Sequence, residues 1–288
     1  MVLPNTLFIG PDKAGSTWLA EVLADHPDAF VPPAKDLYYF DRYYDRGPGW
    51  YEAAFSGSEG ALVRAEVCHD YLFSAEACAR IRADLPDVRL LTTLRRPGER
   101  AFSSYLHMRK HAKAPMPFAE AVETIEELVD HGRYTTYLRP YVEAFGRDRI
   151  WVGVFDDLKA DPAAFASSLY EWLGLPPHRP DPKILQPRLE AAGPRWAPIA
   201  KASKRAALAT RDRGFASAVG RVKRSPAVQR VLYRPLGPDG RVGDAESLAH
   251  VDAVLEPEVT GLIDLIGLDL TERWYGRRST TSVAEPDR

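Results

Sequence analysis

A glycine-bounded loop near the start of the chain has the composition of an anion-binding site. Three apolar residues lead into the sequence Gly10-Pro11-Asp12-Lys13-Ala14-Gly15-Ser16-Thr17. The backbone N–H groups at the start of a helix converge on one point, where the helix dipole also favours negative charge. A lysine adds a cation there, and serine and threonine add hydroxyl donors. We therefore predict a phosphate cradle formed by Lys13, Ala14, Gly15, Ser16, Thr17 and Trp18.

The order of residues in this loop differs from that of a Walker A loop. In a Walker A loop, four residues separate the glycines and Gly-Lys-Ser/Thr follows. Here Lys13 precedes the second glycine, and two hydroxyl residues come after it. The structural alternative is a glycine turn in which Ser16 caps a helix and Lys13 faces solvent.

A second candidate anion site follows the most apolar stretch of the chain, residues 88–94. Arg95 stands at the end of this stretch, and its planar guanidinium suits a phosphate. Pro97 is suited to the first turn of a helix, which would carry Ser103 close enough to donate to the same oxygens. The alternative is that Arg95 forms an ordinary ion pair and Ser103 only packs.

Short apolar runs alternate with helical periodicity along the chain. We predict strands at 7–9, 61–65, 88–94 and 150–154, and helices at 16–24, 75–84, 99–110, 137–145 and 162–173. Apolar strands separated by helices indicate an α/β protein with a central parallel sheet flanked by helices. Ligands of such sheets bind at the carboxyl ends of the strands, where both candidate loops lie.

Together the two loops resemble those of sulfotransferases that use 3′-phosphoadenosine 5′-phosphosulfate (PAPS), in particular the bacterial members and the heparan-sulfate glucosaminyl branch. Further segments match this family in order: Asp25-His26-Pro27, Lys35-Asp36-Leu37-Tyr38-Tyr39-Phe40-Asp41, Gly49-Trp50-Tyr51, Phe155-Asp156-Asp157-Leu158 and residues 267–274. The resemblance runs from about residue 7 to residue 274. It implies a P-loop-NTPase-like sulfotransferase fold in a single domain, 1–275. Because the chain is polar after Trp274, we expect a disordered tail at 276–288.

The resemblance also implies in-line transfer of a sulfuryl group from PAPS to an acceptor hydroxyl or amine. Lys13 would neutralise the leaving phosphate, while the cradle residues hold the 5′ end of the nucleotide. Arg95 and Ser103 would hold the 3′-phosphate. Either Arg195 or Arg188, in the proline-rich segment 176–200, would close over the nucleotide.

The residue that takes the acceptor proton is less clearly marked. Asp36 stands where the resembling branch has a catalytic glutamate, and Tyr38 replaces the histidine of that motif. Glu66 matches a second acidic position, although Val67 follows it instead of a lysine. We rank Asp36 first as the base, Glu66 second and His69 third. Their structural alternatives are an ion pair for Asp36, a structural acid for Glu66 and a core or capping role for His69.

Two other functions compete with sulfuryl transfer. A P-loop kinase or nucleotide hydrolase would need a magnesium-holding acid at the end of an apolar strand, and Asp156 is the candidate. A non-catalytic nucleotide-binding relative would retain the fold and lose the chemistry, as the changes at Asp36, Tyr38 and Val67 would allow.

Composition limits the other classes of function that the protein could have. The chain has 288 residues, a net charge of −2 and 45% hydrophobic residues. Because its net charge is slightly negative, the overall electrostatic field does not indicate nucleic-acid binding. The two cysteines, Cys68 and Cys78, lack metal-ligand spacing, and we predict no metal site. They are interpreted as buried thiols, with a single disulfide as the alternative. No stretch of the sequence is long and apolar enough for a membrane span, so we expect a cytoplasmic protein.

The acceptor is not defined by the sequence. A small molecule, a sugar or a glycolipid are all compatible, and aromatic residues between 38 and 51 either wall its pocket or pack in the core. The basic stretch 201–224 reads as a solvated helical face, with weak contact to an anionic membrane surface or an acidic acceptor as the alternative.

Overall fold

Five parallel strands form the central sheet of the protein. The computed structural model describes residues 2–186 and 244–276, and the backbone of 192–194 and 233–235. The strands are β1 (Thr6–Gly10), β2 (Ala29–Phe30), β3 (Val63–Val67), β4 (Arg89–Leu94) and β5 (Ile150–Val154). They lie in the order β2-β3-β1-β4-β5. A separate antiparallel pair joins β6 (Ala192–Pro194) to β7 (Tyr233–Pro235).

Both faces of the sheet are covered by apolar side chains, as the strand composition predicts. Leu7 and Ile9 of β1 enter one core with Leu90 of β4, whereas Phe8 and Leu91 enter the core on the opposite face. This alternation follows from the two-residue period of a strand. The predicted α/β class with a parallel sheet flanked by helices is therefore confirmed.

The helices follow the predicted pattern closely. In chain order they are α1 (Ser16–Asp25), α2 (Tyr39–Arg42), α3 (Pro48–Ala53), α4 (Ala75–Asp84), α5 (Pro97–Lys110), α6 (Phe118–Thr124), α7 (Glu127–Asp130), α8 (Tyr134–Phe145), α9 (Phe155–Ala160), α10 (Pro162–Leu173), α11 (Ala245–Thr260), α12 (Leu262–Ile266) and α13 (Thr271–Tyr275). Side-chain caps fix several starts: Ser74 accepts from Ala77 N before α4, and Asp161 accepts from Ala163 N before α10.

Several predicted boundaries differ from the structure by one to three residues, and the largest difference is the start of α8, at Tyr134 instead of 137. The strand expected at 61–65 lies two residues later, because Leu62 is exposed and pairing with β1 begins only after Val63. The helix expected from residue 99 begins at Pro97, whose ring suits the first helical position. A shift by two residues leaves the same side chains facing the core, so the register is unaffected.

Helix α11 packs closely on α5 and fixes the start of that helix. A Cβ at Gly98 would lie 2.7 Å from the carbonyl oxygen of Leu248, so only glycine allows this approach. The Gly98 amide donates to Asp252 Oδ1 at 2.8 Å, and Arg96 Nε donates to Asp252 Oδ2 at 2.7 Å. The segment after β4 is therefore anchored from a distant part of the chain.

Several predictions fall on parts of the chain outside these described residues. They concern Arg188, Arg195, the basic stretch 201–224 and the tail beyond residue 276. Within the described residues, no helix is long and apolar enough to cross a membrane.

Candidate functional site

The loop after β1 leads directly into α1 with an open helix start. Lys13 and Gly15 both adopt positive φ angles, 62° and 101°, which turn the chain back across the carboxyl end of β1. Gly15 is the N-cap, so Ser16 is the first helical residue and the alternative of a capping Ser16 is wrong. No side chain among the described residues caps α1, and its first turn holds no acidic residue. The N–H groups of its first turn can therefore bind an anion.

Side chains at the end of the neighbouring strand β4 hold this loop in place. Thr92 Oγ1 donates to the Gly10 carbonyl and Thr93 Oγ1 to the Ala14 carbonyl, each at 2.6 Å. Arg95 donates to the Lys13 carbonyl at 3.2 Å. Both threonines are fully buried. The peptide units around Lys13 are thus fixed by groups that are themselves rigid.

A buried ion pair beneath the loop was missed from the sequence. Arg100 is fully buried, and its guanidinium lies 3.0 Å from Asp12 Oδ1. Ser104 Oγ donates to Asp12 Oδ2 at 3.1 Å, and His131 Nδ1 lies 3.3 Å from Oδ1. Burial opposes ionisation of Asp12, but the Arg100 charge and the His131 hydrogen bond outweigh it and hold the pKa well below its usual range. The four-residue spacing of Arg100 and Ser104 was the available signal.

Arg95 already has partners in the second candidate anion site. Its guanidinium lies 3.3 Å from Glu99 Oε2 and stacks over the Phe155 ring at 4.6 Å from the centroid. Lys159 reaches the same Glu99 oxygen at 3.4 Å. The side chain of Arg95 retains 19% exposure. Ser103 is half-buried on α5, two turns along from Arg95.

Asp36 lies at the carboxyl end of β3, beside the loop after β1. Its backbone has a φ of 59°, and its amide donates to the Val67 carbonyl at 3.0 Å. Lys35 Nζ lies 3.1 Å from the Asp36 carboxylate, and His69 Nδ1 lies 2.7 Å from Oδ1. Burial alone would raise the pKa of Asp36, but the His69 hydrogen bond and the two cations hold it well below its usual range. Asp36 is therefore ionised.

Glu66 occupies a closed pocket of tyrosine hydroxyls on β3. Its side chain is 1% exposed, and it accepts hydrogen bonds from Tyr51 OH at 2.6 Å and Tyr71 OH at 2.7 Å. Burial raises the pKa of Glu66 to about 7, although both hydrogen bonds act in the opposite direction. The carboxyl is thus separated from solvent by the two tyrosines.

His69 connects Asp36 to a further acid that the sequence did not single out. His69 Nε2 lies 3.1 Å from Asp70 Oδ1, and Asp70 Oδ2 is paired with Arg42. Burial would lower the pKa of His69, but the hydrogen bond and charge of Asp36 outweigh it and raise the pKa. Which carboxylate each ring nitrogen of His69 meets depends on the register of β3, and the sequence pattern did not predict that register.

The aromatic residues between 38 and 51 divide into a buried and a half-buried group. Tyr39 and Tyr51 stack at 4.3 Å inside the core, so they are packing residues. Tyr43 and Trp50 remain half-buried, and the Arg46 guanidinium lies over both rings at 4.4 and 5.0 Å. Tyr38 and Tyr44 are half-buried as well, so these four rings of the stretch are accessible to an acceptor.

Asp156 is paired with other side chains of the protein, and the two cysteines are buried. Asp156 Oδ1 lies 2.9 Å from Lys159 Nζ, and Oδ2 accepts from Trp274 Nε1 at 2.9 Å. Across the described parts of the chain, no group of three or more His, Cys, Asp or Glu side chains could hold a metal ion. Cys68 and Cys78 are both buried free thiols.

Comparison with known proteins assigns this arrangement to a family. A family model described as "Sulfotransferase domain" matches residues 3–191, which include both candidate loops and the Asp36–His69 pair. The chain belongs to the sulfotransferase family. This confirms the resemblance seen in the sequence. A sulfotransferase from Alicyclobacillus acidocaldarius shares the fold, with a TM-score of 0.68 at 22% identity over 95% of this chain and 99% of that one.

Curated relatives of this sulfotransferase-family chain match over part of their length. A bifunctional heparan sulfate N-deacetylase/N-sulfotransferase 1 from Caenorhabditis briggsae is 29% identical over 198 residues, which are 60% of this chain and 23% of the relative. The mouse heparan sulfate glucosamine 3-O-sulfotransferase 3B1 is 29% identical over 182 residues, again 60% of this chain and 46% of the relative. The chain therefore spans less than half the length of either relative.

Proposed function

We propose that the protein transfers a sulfuryl group from PAPS to a hydroxyl or amine of a small-molecule, sugar or glycolipid acceptor. One observation carries the proposal: the anion-binding loop and the Asp36–His69 pair meet at the same edge of the sheet. A Cβ at Gly10 would lie 2.6 Å from the His69 carbonyl oxygen, so the two loops are in direct contact. A donor phosphosulfate and an acceptor can thus be held side by side.

The residues on the donor side fit a sulfated nucleotide. The open start of α1 would take the 5′-phosphosulfate through the amides of residues 14–18, with hydroxyls from Ser16 and Thr17. Lys13 would place its ammonium on the oxygen that leaves with the phosphate, where negative charge accumulates. Arg95 and Ser103 would hold the 3′-phosphate. For Arg95 this means exchanging its contact with Glu99 for a dianionic group, to which a guanidinium binds more strongly.

On the acceptor side, exposure and ionisation favour Asp36 as the base. The Asp36 side chain is 17% exposed, whereas Glu66 is enclosed by tyrosine hydroxyls. Both ring nitrogens of His69 face carboxylates, which leaves neither directed at an acceptor. We assign Asp36 to accept the acceptor proton, Glu66 to hold Tyr51 and Tyr71 in place, and His69 to orient Asp36. The half-buried Tyr43 and Trp50 are candidate walls for a sugar or aromatic acceptor.

The direct test is a transfer assay with purified protein. Labelled PAPS and a panel of phenols, alcohols, amino sugars and glycolipids are incubated with the protein, and products are identified by mass spectrometry. A sulfated product that forms without added magnesium, together with tight binding of adenosine 3′,5′-bisphosphate by calorimetry, supports the proposal. Phosphoryl transfer from ATP and magnesium would instead indicate a kinase. Nucleotide binding without any sulfated product would indicate a non-catalytic relative.

A further inference from the structure

The His69 ring lies between two carboxylates that come from different segments of the chain. Nδ1 is 2.7 Å from Asp36 Oδ1, and Nε2 is 3.1 Å from Asp70 Oδ1. A neutral imidazole carries one N–H donor and one acceptor nitrogen, and an ionised carboxylate only accepts. A ring nitrogen without a proton is repelled by a carboxylate, so both contacts are favourable only when both ring nitrogens carry a proton. The geometry therefore selects the imidazolium form of His69.

The other charged groups around His69 are consistent with a cation at this point. Asp12 of the loop after β1 also interacts electrostatically with His69, in addition to Asp36 and Asp70, although Arg100 and His131 pair with Asp12. The nearest cations are held by these carboxylates: Lys35 by Asp36 and Arg42 by Asp70. The ring of Tyr38 packs edge-on against the imidazole, with centroids 6.0 Å apart. Three acids thus surround His69 and two basic residues partly offset them.

We propose that Asp70 is a positioning residue, which keeps His69 doubly protonated so that His69 fixes the carboxylate of Asp36. This inference rests on the proposed function, because it assumes that Asp36 accepts the acceptor proton. Asp70 reaches the proposed base through the histidine ring. It is joined to the site through the His69 ring, by the ion-pair contact at Nε2 and the hydrogen bond between Nδ1 and Asp36.

Neighbouring side chains hold the carboxylate of Asp36. Its φ of 59° lies in the left-handed region, which aspartate adopts more often than most residues other than glycine. Lys35 and His69 both hold the Asp36 carboxylate, in addition to the backbone bond between the Asp36 amide and Val67. When His69 loses one proton it also loses its positive charge, so its attraction to both carboxylates weakens and the Asp36 carboxylate is held less firmly. Activity should thus be present while His69 is protonated and fall as the pH rises through the pKa of His69.

The first experiment measures the ring directly, in the whole chain without substrates. With ¹⁵N-labelled histidine, long-range ¹H–¹⁵N spectra report whether each ring nitrogen of His69 is protonated. We expect both to be protonated at neutral pH, and a titration midpoint above the ordinary value of about 6.5. Asp70→Asn keeps the shape but removes one neighbouring negative charge, so the midpoint should fall by about one pH unit.

The second experiment measures turnover against pH in the same variants. In Asp70→Asn the alkaline limb of the kcat profile should move down with the His69 midpoint, while KM for PAPS stays the same. Arg42→Gln is the matched control, because it removes the competing cation from Asp70 and should not lower the His69 midpoint. Asp87→Asn removes an exposed aspartate before β4, at the opposite edge of the sheet, and should change neither readout.

Two results would overturn the inference. One is an active wild-type protein in which a His69 ring nitrogen lacks its proton at neutral pH, a measurement that needs no variant. The other is an Asp70→Asn protein whose His69 midpoint falls but whose alkaline limb does not move. If the wild-type protein transfers no sulfuryl group while the His69 ring is doubly protonated, the proposed function fails. The contacts of His69 with Asp36 and Asp70 then have only a structural role.

Discussion

Glu66 should make the folded protein lose stability as the pH rises, and Glu66→Gln should remove that loss. The pKa of Glu66 is about 7 in the folded protein, compared with an ordinary value of 4.5 in an unfolded chain. The folded state therefore binds the proton more tightly, and the free energy of unfolding falls as the pH rises between these two values. From about pH 5.5 to about pH 8, this single group should cost ~2 kcal/mol.

The assay is urea unfolding of the wild type and Glu66→Gln at both ends of this range. Because most other titrating groups are common to the two proteins, their contributions cancel in the difference. The wild type should lose ~2 kcal/mol more than the variant on going to the higher pH. Glu120→Gln is a matched control, since it removes the same charge from the exposed face of α6 and should behave as the wild type does.

A particular outcome would refute this reasoning. If the wild type and Glu66→Gln show the same change in unfolding free energy with pH, the folded pKa of Glu66 is ordinary. The enclosure by Tyr51 and Tyr71 would then not isolate the carboxyl from solvent, and Glu66 would return as a candidate base. A normal pH dependence together with a large loss of kcat in Glu66→Gln would assign it that role.

Three further substitutions test the donor side of the site. Lys13→Ala should lower turnover by ~10²–10³ without changing the melting temperature, and full activity would exclude Lys13 from the chemistry. Arg95→Ala should weaken binding of adenosine 3′,5′-bisphosphate by ~1.5–3 kcal/mol, which calorimetry measures, and unchanged affinity would contradict the assigned phosphate contact. Asp12→Ala leaves the Arg100 cation buried alone and should cost ~3–5 kcal/mol of unfolding free energy. A neutral result would mean that Arg100 finds another partner.

The sequence alone determined the layout of strands, helices and the two candidate loops, because these features are local. The apolar run of β5, the capping Asp161 of α10 and the glycine turn before α1 each act within a few residues. Their order then restricts the topology to a parallel sheet with loops at its carboxyl ends. The family resemblance followed from the same local motifs and is confirmed by the family match over residues 3–191.

Only the tertiary structure decided which charged groups meet. Arg100 and Asp12 are separated by 88 positions, and His69 and Asp36 by 33. No periodicity links such pairs, since their contact depends on the register of β1 against β3 and on how α5 packs beneath the loop. The same register encloses Glu66 with tyrosines and directs His69 between two acids. Ionisation depends on burial and on neighbours in space, so the protonation states at this site could be inferred only from the tertiary structure.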